Sequence, residues 1–346
     1  MDFEQEVDAW INGAAKPPNS LGLLEKHVKK LLLSWGTVEQ ELRPHHLIYA
    51  ADNGVVEEGV VNYPPSITWL QAQNMVAGRA AISCFCHYHQ IPYSVVDIGI
   101  NHTEPFPGVQ KKVALGTKNF VKEEAMSRQE FAAAWEVGTA MVNSLVAAGQ
   151  YNLISFGEMG IGNTTTSSAV LHALTGIMPE FIVGSGAGLN SSEALKHKRT
   201  VVARGVALHR ENMKDVKDIL RCVGGFDIVA ICAGMVECSR LHIPFVIDGF
   251  ITAVAYVCAA RLDRNVERQA IPSHMSKEPG MATALLLGNI VAEDVVLRAN
   301  MALGEGTGAV LMVGMLKTML YTLQHMARLA DMGVTPPAAT EVPAVS

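Results

Sequence analysis

The sequence SFGEMGIGNTTTSS at residues 155–168 marks the point where an apolar run ends and a helix rich in small residues begins. The run that leads into it, YNLISF at residues 151–156, is short, apolar and bounded by glycine, which is typical of a buried strand. Gly157, Gly160 and Gly162 permit a sharp turn and a close approach of the backbone to a ligand, because they carry no Cβ atom. The stretch therefore predicts a strand, a glycine-rich turn and a helix.

The start of this predicted helix is suited to binding a phosphate group. Asn163 and the threonines after it, beginning with Thr164, can cap the helix and leave backbone N–H groups facing outward. Phosphates commonly bind at such helix starts. Glu158 does not fit that task, because its negative charge would repel the anion. Ribose hydroxyls or a cationic ring would give this carboxylate a separate function.

The composition indicates a compact α/β enzyme that acts on a small molecule. The chain has 346 residues, 49% of them apolar, with 27 basic and 33 acidic residues. That length permits one large domain or two unequal ones. No basic run or aromatic-interleaved patch indicates a nucleic-acid partner. The apolar stretch at residues 243–260 is short and interrupted by Asp248, so it favours a strand and a helix over a membrane span.

The cysteines and the first residues favour a cytoplasmic protein. Only two of the six cysteines, Cys84 and Cys86, are close in sequence, and a single C-x-C pair is a weak indication of a metal site. Buried free thiols are the better interpretation, and they imply a reducing compartment. The first ten residues, MDFEQEVDAW, are acidic and lack the apolar core of a secretion signal.

Further apolar runs alternate with helical patterns along the chain. Strands are predicted at residues 46–51, 91–100, 226–233 and 243–248 and within residues 180–190, and a crossover helix is predicted at residues 127–148. Alternation of strand and helix predicts a parallel sheet with right-handed crossovers.

A second glycine-rich loop, GSGAG, occupies residues 184–188. It lacks the G-x-G-x-x-G spacing of dinucleotide-binding folds, so it gives little support to a nicotinamide-dependent dehydrogenase. It can still cradle a phosphate, and Lys196 or Lys198 in the next predicted helix could neutralise the charge. Ordinary surface lysines are the alternative.

Two acidic residues lie in predicted loops. Asp52 comes directly after a strand, at the edge where open α/β sheets bind ligands, although an Asx turn would explain it equally well. Glu305 stands between glycines in LGEGTGA, before an apolar helix, and partial burial would suit it to act as a general base. A solvated loop carboxylate is the alternative. His274 is better explained as a hydrogen-bonding residue than as a zinc ligand, since no further ligands lie at suitable intervals.

An aromatic ligand could bind beside the segment NYPP at residues 62–65. Tyr63 and, in the helix that follows, Gln71 are of the types that line such a pocket. Packing of the tyrosine against the prolines is the alternative.

Eight segments in order resemble the nicotinate-nucleotide:dimethylbenzimidazole phosphoribosyltransferase family. They are KPPNSLGLLE, ADNGVVEEGVVNYP, GEMGIGNTT, GSGAGL, GGFD, DGF, IPSHMSKEPG and LGEGTGA, between about residues 16 and 320. The resemblance implies a Rossmann-like, mostly parallel sheet flanked by helices in a large α/β domain of residues 44–317. It also implies a smaller helical domain built from residues 1–43 and about 318–346, and a homodimer or a heterodimer with a homologous subunit.

The resemblance also implies a reaction that requires no cofactor or metal. The phosphoribosyl group of nicotinate mononucleotide passes to an aromatic acceptor, which releases nicotinate and gives an α-ribotide for the lower ligand of a cobamide. The family's catalytic base falls on Glu305, and its stabiliser of the ribosyl cation falls on Glu158. Phosphate and ribose contacts fall on Gly160, Gly162, Asn163, Thr164, Gly184, Ser185, Gly186 and Lys198, and acceptor contacts on Tyr63, Gln71, Met159 and Leu303.

The sequence departs from the family pattern near the expected acceptor. Tyr63 stands where the family often has serine or alanine, and Ala302 where it often has arginine. A bulky hydroxylated side chain there would favour a smaller ring. Some relatives activate phenol or p-cresol and work as a pair of unlike subunits. A partner-dependent subunit of such a pair is therefore the alternative to a benzimidazole-activating enzyme.

Overall fold

A six-stranded parallel sheet forms the centre of the computed structural model, which describes residues 2–186 and 188–334. The strands lie in the order β3-β2-β1-β4-β5-β6. They are β1 (Pro44–Ala51), β2 (Tyr93–Gly99), β3 (Val109–Gln110), β4 (Leu153–Met159), β5 (Phe245–Ile247) and β6 (Ala270–Pro272). This arrangement confirms the predicted α/β class and parallel sheet.

Helices cover both faces of the sheet. They are α1 (Phe3–Asn12), α2 (Leu23–Trp35), α3 (Ser66–Val76), α4 (Ala81–His89), α5 (Arg128–Val146), α6 (Asn163–Thr175), α7 (Pro179–Ile182), α8 (Ser192–His209), α9 (Val216–Val223), α10 (Phe226–Arg240), α11 (Phe250–Leu262), α12 (Val266–Gln269), α13 (Met281–Leu287) and α14 (Thr307–His325). Within the described residues no helix is both long and apolar enough to cross a lipid bilayer.

Residues of each central strand alternate between two hydrophobic clusters. In β1, Leu47 and Tyr49 belong to the cluster shared with α5, α6, α10 and α11, whereas Ile48 and Ala50 belong to the one shared with α2, α4 and α14. Side chains of a strand point to opposite faces in turn, so a strand that is apolar throughout needs cover on both sides. That demand explains the two helical layers.

Two of the predicted strands are wrong. Residues 226–233 lie in helix α10, which packs against α5 and is buried on nearly all sides. A helix buried all round and a buried strand give the same uninterrupted apolar run, so the pattern alone could not separate them. Residues 179–182 form the short helix α7, with Pro179 in its first turn, and the loop to α8 contains no strand among its described residues.

The predicted strands at residues 46–51, 91–100, 151–156 and 243–248 are confirmed, as is the helix at 127–148. Strand β6 was not predicted. The central strand β4 pairs with β1 in a register that sets His46 opposite Ser155 and Tyr49 opposite Glu158.

Helices from the two ends of the chain pack together. Helix α1 contacts α2, α2 contacts α14, and Ala14 forms an antiparallel bridge with Arg328. These helices share a hydrophobic cluster with Ile48 of the sheet. A separate helical domain of residues 1–43 and about 318–346 stays a prediction, and residues 335–346 lie outside the described residues.

Candidate active site

A cleft of about 320 Å³ opens at the carboxyl ends of the strands. Its size is within the range of about 300–1,000 Å³ that small-molecule sites usually have. The cleft is lined by residues of the loops after β4, β5 and β6, by helix α3 and by the loop before α14. The lining includes these predicted site residues: Tyr63, Gln71, Glu158, Met159, Gly160, Asn163, Thr164, Gly186, Leu303 and Glu305.

The turn between β4 and α6 differs in detail from the prediction. Gly162 occupies the N-cap position with φ +92°, and Asn163 is the first helical residue, so the expected Asn163 cap is wrong. Glycine adopts that left-handed conformation without the steric penalty of a Cβ atom. Gly162 lies behind the cleft against Val56 and is not among the lining residues.

The Asn163 side chain instead joins two buried carboxylates. Its Nδ2 donates to Glu158 Oε2 and, over 3.0 Å, to Asp227 Oδ2. Burial and then the negative charge of Asp227 raise the pKa of Glu158 to about 8. Burial likewise raises the pKa of Asp227 to about 6 and raises that of Asp248. Glu158 therefore retains a proton near neutral pH, and a cation placed beside it would favour the release of that proton.

Glu305 has a different environment in the same cleft, although its loop touches the Glu158 carboxylate: a Cβ atom on Gly304 would overlap Glu158 Oε1. Gly304, Glu305 and Gly306 are consecutive left-handed residues, with φ values of +81°, +63° and +88°. The carboxylate is 4% exposed, so the alternative of a solvated loop residue is wrong. Gln71 Nε2 donates to Oε1 over 2.7 Å, and the Ile82 backbone N–H donates to Oε2 over 3.2 Å.

Lys198 is fully buried behind the turn after β4, so a surface lysine is excluded, whereas Lys196 is exposed. Its Nζ donates to Thr164 Oγ1 over 2.9 Å, and Thr164 lines the cleft. Burial lowers the pKa of Lys198 to about 8, an effect that Glu278 opposes. The Thr164 side chain therefore lies between the ammonium group of Lys198 and the cleft.

The second glycine loop meets the cleft at a single described residue, Gly186. Its backbone N–H donates to Glu278 Oε1 over 3.0 Å. Gly184 packs against Glu278 and Pro279, and Ser185 is exposed; neither lines the cleft. The structure therefore brings together only part of the predicted phosphate-binding set.

The mouth of the cleft is apolar. Tyr63 is half-exposed, and a Cβ atom on Gly188 would lie 2.6 Å from its Cε2 atom, so the ring rests on the second glycine loop. Tyr63 therefore has its predicted place in the pocket, and its ring packs on Gly188. Ile67, Met159 and Leu303 complete an apolar surface beside Glu305.

Several lining residues were not predicted as site residues. Asp248 follows β5 and accepts a hydrogen bond from the Ala309 N–H over 2.9 Å, and Ser276 and Glu278 follow β6. His274 Nδ1 lies 3.8 Å from Asp248 Oδ1. Their position after apolar runs was the available signal, but β6 is only three residues long.

Asp52 does not line the cleft. Its Oδ2 accepts a hydrogen bond from the Asn101 N–H over 2.8 Å, next to the sheet edge. Among the described residues, no group of three or more His, Cys, Asp or Glu side chains is placed to hold a metal ion.

Comparison with known proteins gives consistent matches over nearly the whole chain. A family model described as "Phosphoribosyltransferase" matches residues 1–334. The nicotinate-nucleotide–dimethylbenzimidazole phosphoribosyltransferase of Acetivibrio thermocellus is 39% identical over 327 residues, which cover 94% of this chain and 92% of the relative. The enzyme of the same name from Clostridium tetani is 37% identical over 337 residues, which cover 96% of this chain and 92% of the relative.

Solved structures agree with the sequence comparison. The crystal structure of CobT from Thermus thermophilus superposes with a TM-score of 0.90 at 34% identity, covering 97% of this chain and 100% of that one. A second structure from the same organism, of a nicotinate-nucleotide–dimethylbenzimidazole phosphoribosyltransferase, gives a TM-score of 0.87 at 33% identity and covers 97% and 99%.

Proposed function

The chain belongs to the nicotinate-nucleotide–dimethylbenzimidazole phosphoribosyltransferase family, and we propose that its cleft transfers the phosphoribosyl group of nicotinate mononucleotide to dimethylbenzimidazole. The reaction releases nicotinate and supplies an α-ribotide for the lower ligand of a cobamide. The family and the fold confirm the predicted phosphoribosyltransferase. The roles of individual residues and the assembly are proposals.

The observation that carries the proposal is the pair of buried glutamates on one cleft. Glu158 lies among acidic groups, and Glu305 is held by the Gln71 side chain and the Ile82 N–H. Transfer from a nucleotide needs a group that stabilises positive charge on the sugar and a group that takes a proton from the acceptor. The two environments fit those two tasks.

In the proposed step the acceptor nitrogen attacks C1′ of the ribose while the bond from C1′ to the nicotinate ring nitrogen breaks. The electron pair of that bond stays on the ring nitrogen and cancels its positive charge, so departure requires no general acid. Glu305 takes the N–H proton of the acceptor. Glu158 stabilises the positive charge that develops on the sugar. Attack from the face opposite nicotinate gives the α product.

We place the phosphate at the start of α6, beside Gly160, Asn163 and Thr164. The N–H groups of a helix start and the helix dipole favour an anion there. Lys198 supports this site through Thr164 Oγ1. We place the acceptor ring between Tyr63, Met159 and Leu303, where its N–H can face Glu305.

The direct test is an assay of the purified protein with nicotinate mononucleotide and dimethylbenzimidazole. We expect nicotinate and the α-ribotide in equal amounts, identified by mass and by cleavage with an enzyme specific for β-ribosides, which should leave the product intact. Absence of both products, with folding verified by circular dichroism, would refute the proposal.

Acceptor choice and assembly require a second experiment. Tyr63 adds a bulky hydroxylated side chain to the apolar mouth, which supports phenol or p-cresol as competing acceptors. Competition between equimolar dimethylbenzimidazole and p-cresol ranks the acceptors directly. Light scattering separates a dimer from a monomer, and activity that appears only after a homologous subunit is added would favour the partner-dependent alternative.

Free thiols at all six cysteines support a cytoplasmic location.

A further inference from the structure

His46 lies beneath the loop that carries Glu305, and the proposed reaction assigns it no task. It stands in β1, is fully buried, and faces Ser155 of β4 in the sheet register. Its Nδ1 lies 2.8 Å from Ser155 Oγ, and its Nε2 lies 2.9 Å from the backbone carbonyl oxygen of Glu305. The ring thus connects two strands of the sheet to the catalytic loop.

The partners of the ring determine its hydrogen-bonding state. A carbonyl oxygen can only accept, so the proton must be on Nε2. The Nδ1 atom of a neutral ring then accepts from the Ser155 hydroxyl. Burial lowers the pKa of His46 to about 4, which keeps the ring neutral under ordinary conditions. The Ser155 hydroxyl and the Glu305 carbonyl therefore select one orientation of the ring.

The loop above the ring has an unusual backbone. Glu305 has φ +63°, between two left-handed glycines. A non-glycine residue in this region carries a conformational cost and persists when its surroundings hold it. A Cβ atom on Gly306 would overlap the His46 ring, and one on Gly157 would lie 2.8 Å from Nε2. The loop is therefore seated directly on the imidazole.

We propose that His46 is a positioning residue for Glu305. By donating from Nε2 to the Glu305 carbonyl, it fixes the left-handed backbone from which the carboxylate reaches Gln71 and the Ile82 N–H. The inference rests on the proposed function, in which Glu305 takes the acceptor proton. It adds a residue 259 positions away in sequence that controls where that carboxylate lies.

A matched pair of substitutions separates hydrogen bonding from packing. His46→Gln places an amide N–H near the position of Nε2, whereas His46→Met has similar length and no donor. We expect H46M to lower kcat about ten- to a hundredfold, the scale on which small misplacements of catalytic groups act. The KM for nicotinate mononucleotide should stay within about twofold, and H46Q should recover most of kcat.

The outcomes also separate this inference from the proposed function. If the wild-type protein makes no α-ribotide, the proposed function fails. If it does and H46Q and H46M have equal kcat, whether both match the wild type or both are lowered alike, the positioning role is overturned. Thermal melts of both variants identify a loss that arises from unfolding.

Ser155→Ala tests the positioning role of His46 if the H46M protein does not fold. It leaves the ring in place but removes the hydroxyl that contacts Nδ1 and helps to hold the orientation of the ring. We expect a several-fold loss of kcat with an unchanged melting temperature. Wild-type kcat in a folded S155A protein, together with an unfolded H46M, would refute the inference.

Discussion

Glu158 and Glu305 are the same residue type on the same cleft, but their surroundings differ in charge. Glu158 shares the Asn163 amide with Asp227, and burial among acids raises its pKa to about 8. Glu305 sits on a left-handed backbone and accepts hydrogen bonds from two uncharged donors. Under the proposed function, position relative to other carboxylates, rather than burial alone, separates the task of meeting a cation from that of taking a proton.

The substitution Glu305→Gln should have the largest effect and is the strongest test of the difference between the two glutamates. Removal of the proposed base should lower kcat by about 10²- to 10⁴-fold, because that is the usual contribution of a positioned general base. The affinity for nicotinate mononucleotide, measured by calorimetry, should be nearly unchanged. Glu293→Gln removes an equal charge from an exposed position and is the matched control. An E305Q protein with wild-type kcat would exclude the assigned role.

The substitution Glu158→Gln tests whether Glu158 releases a proton when nicotinate mononucleotide binds. At pH 7 the wild-type Glu158 is mostly protonated, since its pKa is about 8, and a bound cationic ring favours the ionised form. Binding of nicotinate mononucleotide should therefore release up to about one proton. Titration calorimetry in buffers of different ionisation enthalpy measures that number, and it should fall towards zero in E158Q. We expect a loss of kcat of about a hundredfold, smaller than for E305Q. Equal proton release in both proteins would remove Glu158 as its source.

Lys198→Met tests the phosphate side of the cleft. Loss of the cation behind Thr164 should weaken binding of nicotinate mononucleotide by about tenfold or more, the effect expected of a hydrogen bond to a charged group. The KM for the acceptor should change little. Lys196→Met, on an exposed position of the same helix, should leave both constants unaltered. If the two variants behave alike, Lys198 does not support the phosphate.

The raised pKa of Glu158 also makes the stability of the protein depend on pH. The folded-state pKa of Glu158 is raised from 4.5 to about 8, so its contribution is present at low pH and is lost as pH rises through this interval. The wild-type free energy of unfolding should fall by up to about 1.4 kcal/mol per pH unit relative to E158Q between about pH 5 and 8. Denaturant titrations at about pH 5.5, 6.5 and 7.5 give the difference. A difference that is constant or rises with pH would contradict the assigned pKa direction.

Local patterns were sufficient to predict most of the sheet. Short apolar runs bounded by turn residues predicted β1, β2, β4 and β5, because a strand buried on both faces needs no polar positions. The same reasoning failed at α10, where a helix is surrounded by protein on all sides. Strand β6 is too short to give a pattern of its own.

The candidate site was predictable where a residue and its loop are contiguous. Glu158 and Glu305 were recognised because glycines flank them. Lys198 was recognised because the sequence resembles the family, in which a phosphate contact falls on this position. The partners of these residues were not predictable in the same way. Gln71 and Glu305 are 234 residues apart, and Asn163 was expected to cap a helix rather than join Glu158 to Asp227. Such contacts depend on how strands pair, which local sequence does not encode.

The bridge between Ala14 and Arg328 has a consequence for how the molecule is made. The Leu329 N–H donates to the Gly13 carbonyl over 2.9 Å, and the Arg328 guanidinium donates to the Trp10 carbonyl. Helices α1 and α2 are synthesised well before α14, the helix that packs on α2. The apolar side of α2 that α14 covers therefore stays open until α14 has been synthesised, whereas cleavage after residue 326 would remove the Arg328 and Leu329 hydrogen bonds to Trp10 and Gly13 but leave α14 in place.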